Sequence, residues 1–517
     1  MGMKGRRGQI GRIGGTARSS TVFVLAAFGL MSGMASFPAS AAPLPPLAQK
    51  YCVACHLPPA PDAMPRRHWT QVFGFMSVWI QEKGLPYEAD EYQGLLRDYL
   101  ALAPEALEPI PDDLAPAGLG FEARSIGRPC VSARPVIAHL EVADLDGDGR
   151  PELLVCDAVA NEVRLLRPGA GEGWTEETIF RIEAPSRTAV VDYDGDGLPD
   201  IAVASLGVLQ PTDQHLGSVW LLRNLGEGRF QPEPLLVDCP RVADVKAGDF
   251  NGDGRPDLLV VQFGWRSSGG LLWLEQRSPT QFVAHEIVRL HGPLQAEVLD
   301  FDGDGRLDFV ALFSQEHESL VLFRNDGGGG FESRILARAP HPAYGSAGFS
   351  VVDLDGDGDL DFLWTHGDMM DEIPLPKPYH GLHWLENREG ELFPRELVRM
   401  PGCYRAVAHD LDGDGDLDIV VSSIYPQWDE HDFPSLIWLE NDGRQNFTAR
   451  RLLHSPANLA SLVVGDFDGD GLPDLILGGM HVPGPLERVG RLTGVFGLRP
   501  GAEGKEGAEG ARAGAAP

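Results

Sequence analysis

Tyr51-Cys52-Val53-Ala54-Cys55-His56 sets two thiols three residues apart with an imidazole directly after the second. The C-x-x-C-H spacing is that of c-type haem attachment: both thiols add to vinyl groups and the adjacent histidine ligates iron from one side. A thioredoxin-like redox pair would need a βαβ setting, and half a zinc site would need a second ligand pair. Residues 43–118 offer neither. One haem c on Cys52, Cys55 and His56 is therefore the expected cofactor.

A second pattern recurs seven times. The acidic loop D-x-(D/N)-G-D-G-x-x-(D/E) begins at Asp144, Asp192, Asp249, Asp300, Asp353, Asp410 and Asp466, at intervals of 48, 57, 51, 53, 57 and 56 residues. Glycines at loop positions four and six let the backbone wind with positive φ, so the side chains at one, three and five converge. An acid at position nine closes the cage. Hard oxygen ligands in flexible geometry suit calcium, and the spacing resembles a shortened EF-hand loop, whereas magnesium demands a stricter octahedron. The expected ligands are Asp144, Asp146, Asp148 and Glu152, then Asp192, Asp194, Asp196 and Asp200, then Asp249, Asn251, Asp253 and Asp257. They continue with Asp300, Asp302, Asp304 and Asp308, and with Asp353, Asp355, Asp357 and Asp361. Asp410, Asp412, Asp414 and Asp418 form the sixth set, and Asp466, Asp468, Asp470 and Asp474 the seventh. Turn preference alone explains the Asp-Gly pairs but not clustered carboxylates, which repel one another without a cation between them. Up to seven Ca2+ are expected, in a structural role.

These loops also explain much of the composition. The net charge of -32 argues against nucleic acid, which needs a basic face. Yet 27 of the 75 acidic residues are loop ligands, four per loop less one for Asn251, and seven divalent ions would neutralise about 14 charges. At the N-terminus, Lys4, Arg6, Arg7, Arg12 and Arg18 precede an apolar run from Thr21 to Phe37 and the small residues Ala39 to Ala42. This order is that of a cleaved secretory signal, over residues 1–41. The Arg6-Arg7 pair lacks the rest of a twin-arginine motif, so ordinary secretion to the periplasm or outside the cell is expected, with no membrane span after cleavage. Cys130, Cys156, Cys239 and Cys403 permit three disulfide pairings or four buried thiols, and spacing does not choose among them.

Two elements must position the thiols. Arg66 to Lys83 places Trp69, Val72, Phe73, Met76 and Ile80 at helical spacing, and Ala89 to Leu102 does the same with Tyr92, Leu95, Leu96 and Tyr99. The acidic loops sit between strands. In each unit one strand enters the loop, a second leaves it, a third carries a W-L-x-N signature, and a fourth begins near Phe230, Phe331, Phe393 or Phe447. Four short antiparallel strands per repeat is a propeller blade. The seventh unit runs out after its third strand, Thr493 to Leu498, while a spare strand at 120–127 precedes the first and matches Asn446 to Leu453. Phe121 to Ile126 is thus expected to complete the seventh blade.

These residues carry two resemblances. The loop and the W-L-x-N strands resemble the FG-GAP/VCBS repeats of integrin-alpha-type propellers over residues 120–498, which implies calcium-binding blades. The segment from Cys55 to Met76 resembles small c-type cytochrome domains in which a tryptophan-bearing helix presents a methionine to iron. That resemblance implies Met76 as the opposite axial ligand, with Met64 and His68 as alternatives. The expected fold is an all-β seven-bladed β-propeller preceded by a small all-α c-type cytochrome domain. Its parts are a haem domain at 43–111, a linker at 112–119, the propeller at 120–498 and a disordered tail at 499–517.

Strand order puts the acidic loops and the short N-x-G turns on one face of the disc. The longer connections fall on the other: His366 to Asp371, Lys377 to Gly381 and Tyr425 to His431, with Trp265, His317, Tyr404 and His481 nearby. Long loops on a rigid scaffold are where binding or catalysis concentrates. His366, Asp368, Tyr379 and His380 are the candidate ligand or catalytic residues there, against the alternative that the aromatics simply pack together. Three functions follow: electron transfer with a redox partner protein docked on the propeller; an oxidoreductase passing electrons from a substrate to haem; or adhesion, with carbohydrate or another ligand on the loop face.

Overall fold

The computed structural model describes residues 43–53, 56–110, 113–128, 134–169, 173–370, 375, 377–424, 433–481 and 490–500. The signal segment, Cys55, Cys130, Asp371, the insertion at 425–431 and the tail beyond 500 lie outside them.

The described strands form seven antiparallel sheets of four. Blade 1 runs Ile137–Ala143, Glu152–Asp157, Glu162–Pro168 and Trp174–Arg181, and the next five blades repeat this order. First strands of neighbouring blades meet one another, so they surround the axis. Second strands are buried along their whole length, as in Asp308–Phe313 and Asp418–Ser423, because both faces lie against neighbouring blades. Fourth strands are the least buried, mixing exposed with half-buried positions as rim strands do.

Blade 7 consists of Leu459–Gly465, Asp474–Gly479 and Leu492–Pro500, completed by Leu119–Ser125 from the start of the array. The closing strand pairs antiparallel from Leu119 opposite Pro500 to Ser125 opposite Thr493. The distant strand pairs the edge that Leu492–Pro500 would otherwise leave open and joins the two ends of the ring. Two boundaries differ from expectation. Arg499 and Pro500 belong to the last strand rather than to a tail. The linker is not free either: Arg451 donates its backbone N–H to Ala115, and Ala117 donates to Arg451, so the chain covers the outer edge of blade 6.

Ahead of the ring, α1 (Ala48–Tyr51), α2 (Arg66–Glu82) and α3 (Ala89–Leu102) pack on an aromatic core. Trp69 meets Tyr99 edge-on at 4.7 Å, and Phe73 lies 5.1 Å from Tyr99. Trp69 Nε1 donates to the Pro61 carbonyl at 2.8 Å and the Tyr99 hydroxyl to that of Pro59 at 2.7 Å. These two bonds tie the proline-rich segment after His56 to both helices. No helix among the described residues is long and apolar enough to cross a membrane.

Cys156, Cys239 and Cys403 are buried free thiols in blades 1, 2 and 6. Of the alternatives, these three are thus buried thiols rather than disulfides with one another: each lies in a different hydrophobic cluster between neighbouring blades.

Candidate functional site

Each acidic loop is a chain of Asx turns. In the first, Asp144 accepts the N–H groups of Gly147 at 2.8 Å and Gly149 at 3.0 Å, while Asp148 accepts Arg150 at 2.8 Å. The glycines have φ of 74° and 84°, a conformation costly for any residue with a Cβ. Ligand atoms of Asp144, Asp146 and Glu152 lie within 4.8 Å of one another, as do those of Asp192, Asp194 and Asp200. Asp300, Asp302 and Asp304, and Asp353, Asp355 and Asp357, form comparable groups. The carboxylate oxygens Asp194 Oδ1 and Asp353 Oδ1 are buried with no hydrogen-bond partner. A buried, unsatisfied anionic oxygen is costly, and a hard cation would satisfy it.

The acid at position nine does more than close a cage. Asp308 accepts the Phe301 N–H on one oxygen at 3.2 Å and the Asn325 N–H on the other at 2.7 Å, bracing loop to third strand. Asp200, Asp257, Asp361, Asp418 and Asp474 repeat this bracket. Burial pushes the carboxyl groups of these five up to about 6.

The asparagine of the W-L-x-N signature has a role its spacing did not announce. Asn325 Nδ2 donates to the Phe250 carbonyl in the acidic loop of the preceding blade at 2.7 Å, and Asn224 Nδ2 to Leu145 at 3.0 Å. In blade 3 the position is Gln276, which reaches Tyr193 at 2.8 Å. These amides stitch blade to blade under the loops. Replacing Asn325 by Ala leaves a buried carbonyl unpaired and should cost about 1–3 kcal/mol in chemical denaturation. An unchanged midpoint and slope would remove this role.

In the helical segment, Cys52 is half-buried and burial pushes its thiol up to about 11, so it is a poor thiolate nucleophile. His56 Nδ1 lies 2.8 Å from the Leu57 carbonyl. A carbonyl only accepts, so Nδ1 carries the proton and Nε2 keeps its lone pair. Along α2, Trp69, Phe73 and Ile80 are buried, but Met76 on the same face is 36% exposed. Met64 is packed into the aromatic core at 7%, and His68 Nε2 accepts a hydrogen bond from Arg67 at 2.9 Å.

The helical segment sits on the irregular face of the propeller. The Tyr379 hydroxyl of blade 5 donates within 3.2 Å of the Ala63 carbonyl, and the Arg266 guanidinium of blade 3 lies 3.6 Å from the Trp79 ring. The Arg266 turn is held by Asp213 Oδ1, which accepts the N–H groups of Arg266, Ser267 and Ser268 at 2.9–3.0 Å. Burial opposes ionisation of Asp213, but these donors win and hold its carboxyl at about 2. A depressed acid stabilises above its unfolded value, so the turn is pinned above roughly pH 4 and released as pH falls toward about 2. Arg266→Ala should weaken docking by about 1 kcal/mol, roughly fivefold in local opening. Faster hydrogen exchange in α2 with unchanged exchange in the blades would show it; equal α2 exchange would refute it.

The four loop-face candidates divide. His366 and His380 are completely buried, and Tyr379 stacks on Tyr344 at 4.9 Å. His366 lies 4.6 Å from Tyr344 and 5.2 Å from His383. Burial drives both histidines well below their ordinary range, so they are neutral. Asp368 accepts the Met370 N–H at 2.9 Å and shapes its own turn. Three of the four therefore share an aromatic-imidazole core under the helical segment. Sequence spacing could not distinguish that core from an open site, since it becomes buried only through packing. His291, on the same face, was missed altogether; a single histidine before a glycine carries no pattern.

Fold and loops together define a seven-bladed propeller built of FG-GAP-like repeats. The FG-GAP-like repeat family matches at residues 144–203, 192–260, 300–364 and 410–477. Cartilage acidic protein 1 of Homo sapiens is 29% identical over 172 residues, covering 31% of this chain and 26% of that protein. The chain thus spans about a quarter of the length of the curated relative it matches. Two solved structures of BBS1N in complex with ARL6DN, soaked with mercury and with lead, are each 14% identical, with TM-scores of 0.45 and 0.43. Each covers 71% of this chain and 94% of its own.

Proposed function

We propose that this is an exported electron-transfer protein: a c-type haem on Cys52, Cys55 and His56, carried by a small cytochrome domain docked on a calcium-held propeller. The observation that carries the reading is His56, whose Nδ1 is committed to the Leu57 carbonyl while Nε2 stays available as an axial ligand. When bound, the haem supplies a one-electron couple at iron. The chain's own residues do the rest. Cys52 and Cys55 would anchor the group, the bonds from Trp69 and Tyr99 hold the segment after His56, and Met76, exposed on α2, would be the second iron ligand. Of the three opposite ligands considered, Met76 alone is neither packed into the core nor hydrogen-bonded to a neighbouring side chain. The propeller buries one side of this domain through Arg266 and Tyr379 and leaves its remaining surface for a redox partner protein.

An absorption spectrum of the purified protein, oxidised and then reduced with dithionite, tests the reading. A sharp reduced c-type band that survives denaturation and acid-acetone extraction supports it. Haem that extracts, or no haem at all in protein matured by a haem-attaching host, overturns it.

A further inference from the structure

His291 lies in the connection from blade 3 to blade 4, and Glu316 and His317 lie in the turn between the second strand (Asp308–Phe313) and third strand (Ser319–Asn325) of blade 4. Both connections are on the irregular face. His291 Nε2 is 2.7 Å from Glu316 Oε2, and the His291 and His317 rings are 5.0 Å apart at 48°. One ligand atom from each of the three lies within 4.8 Å of the others.

The two turns are rigid. Gly292 donates to the Phe263 carbonyl at 2.9 Å, Ser314 to Gly292 at 2.8 Å, and the Ser319 hydroxyl to His317 at 2.6 Å. Gly292, at φ 88°, passes so close that a Cβ would stand 3.0 Å from the Ser314 carbonyl. Such a frame holds imidazoles at set positions with little freedom to lose on binding. An independent sign comes from His317: its Nε2 is shielded from solvent and has no hydrogen-bond partner. A buried imidazole nitrogen without a partner forfeits its hydrogen bond to water for nothing, unless something else fills that position.

We propose that His291, Glu316 and His317 bind one divalent first-row transition ion of the zinc class, separate from the calcium loops. Two imidazoles and one carboxylate are the borderline donor set such ions prefer, whereas calcium takes oxygen. With ligand bonds of ~2.0–2.1 Å, a tetrahedral ion places its donors ~3.3 Å apart. His291 Nε2 and Glu316 Oε2, at 2.7 Å, stand closer than that, and all three donors lie within 4.8 Å of one another, so modest side-chain rotations suffice to open the shell around an ion. Three protein ligands leave a fourth position open for water or a substrate atom, as in catalytic rather than structural sites. The helical segment stands beside it: His56 lies within electrostatic reach of both Glu316 and His317. The ion would thus be a second centre next to the haem-attachment motif, and the assignment does not depend on haem being there.

Zn2+ titration of the full-length protein in excess Ca2+, which saturates the acidic loops, tests the site by calorimetry and metal analysis. The wild type should bind one Zn2+ equivalent that the His291→Ala, His317→Ala double variant has lost. Equal stoichiometry in both overturns the proposal. Should the double variant not fold, zinc-edge X-ray absorption on wild-type protein carrying one equivalent decides it. Imidazole scattering from two nitrogen ligands supports the site, and an all-oxygen shell overturns it.

Discussion

Stripping calcium with EDTA should lower the melting temperature of the propeller by on the order of 20 °C. A ligand at a hundred times its dissociation constant stabilises by about 2.7 kcal/mol, so seven loops acting together carry roughly 19 kcal/mol. The physical source is the repulsion within each loop. Asp194 and Asp353 each bury a carboxylate oxygen with nothing to bond, and the rest of each cluster compresses like charges within a few ångströms. The pH dependence has a definite sign. In the calcium-free protein the position-nine carboxyls of Asp200, Asp257, Asp361, Asp418 and Asp474 sit at about 6, raised by burial. The folded state then holds protons that the unfolded chain has released, so calcium-free stability falls as pH rises from roughly 4 to 6. Above that window the carboxylates are ionised and calcium recovers the loss. The calcium-induced gain in melting temperature is therefore small at acid pH and full near neutrality. A melt that ignores EDTA at pH 7.5 would sink the cation role of the loops.

Replacing both Cys52 and Cys55 by Ala should abolish covalent haem entirely, read as loss of the reduced absorption band and of the haem mass from the intact chain. Either single variant keeps one thioether and retains haem at reduced yield. His56→Ala keeps both thioethers but loses the axial nitrogen, so the band should broaden and shift rather than disappear. Calcium-dependent melting of the propeller should be unchanged in all four proteins, because none of these residues belongs to an acidic loop. A double variant that still shows a sharp reduced band would remove the haem assignment.

Seven blades were legible because the period repeats in contiguous residues: each acidic loop, entering strand and W-L-x-N strand can be recognised without knowing its neighbours. Closure was legible too, since the spare strand before Arg128 reads like the fourth strand of another blade and now pairs with Leu492–Pro500. The roles inside the repeat were less so. That position nine would brace the third strand, and that Asn325 would reach the Phe250 carbonyl 75 residues earlier, depends on how blades lie against each other. Gln276 shows why: a longer amide does the same work from a unit whose sequence breaks the signature.

Charge pattern, repeat period and the C-x-x-C-H spacing are local properties, so the chain alone determined the blade count and made the cation and haem proposals legible. Where the helical segment sits was decided only in three dimensions. Ala63 and Tyr379 are 316 residues apart, and nothing in either neighbourhood announces the other. The same holds for His291 beside Glu316 and His317, brought together by adjacent connections on one rim of the ring. Ring closure brings distant turns onto a common face, and a site assembled across that face leaves no spacing in the sequence to read.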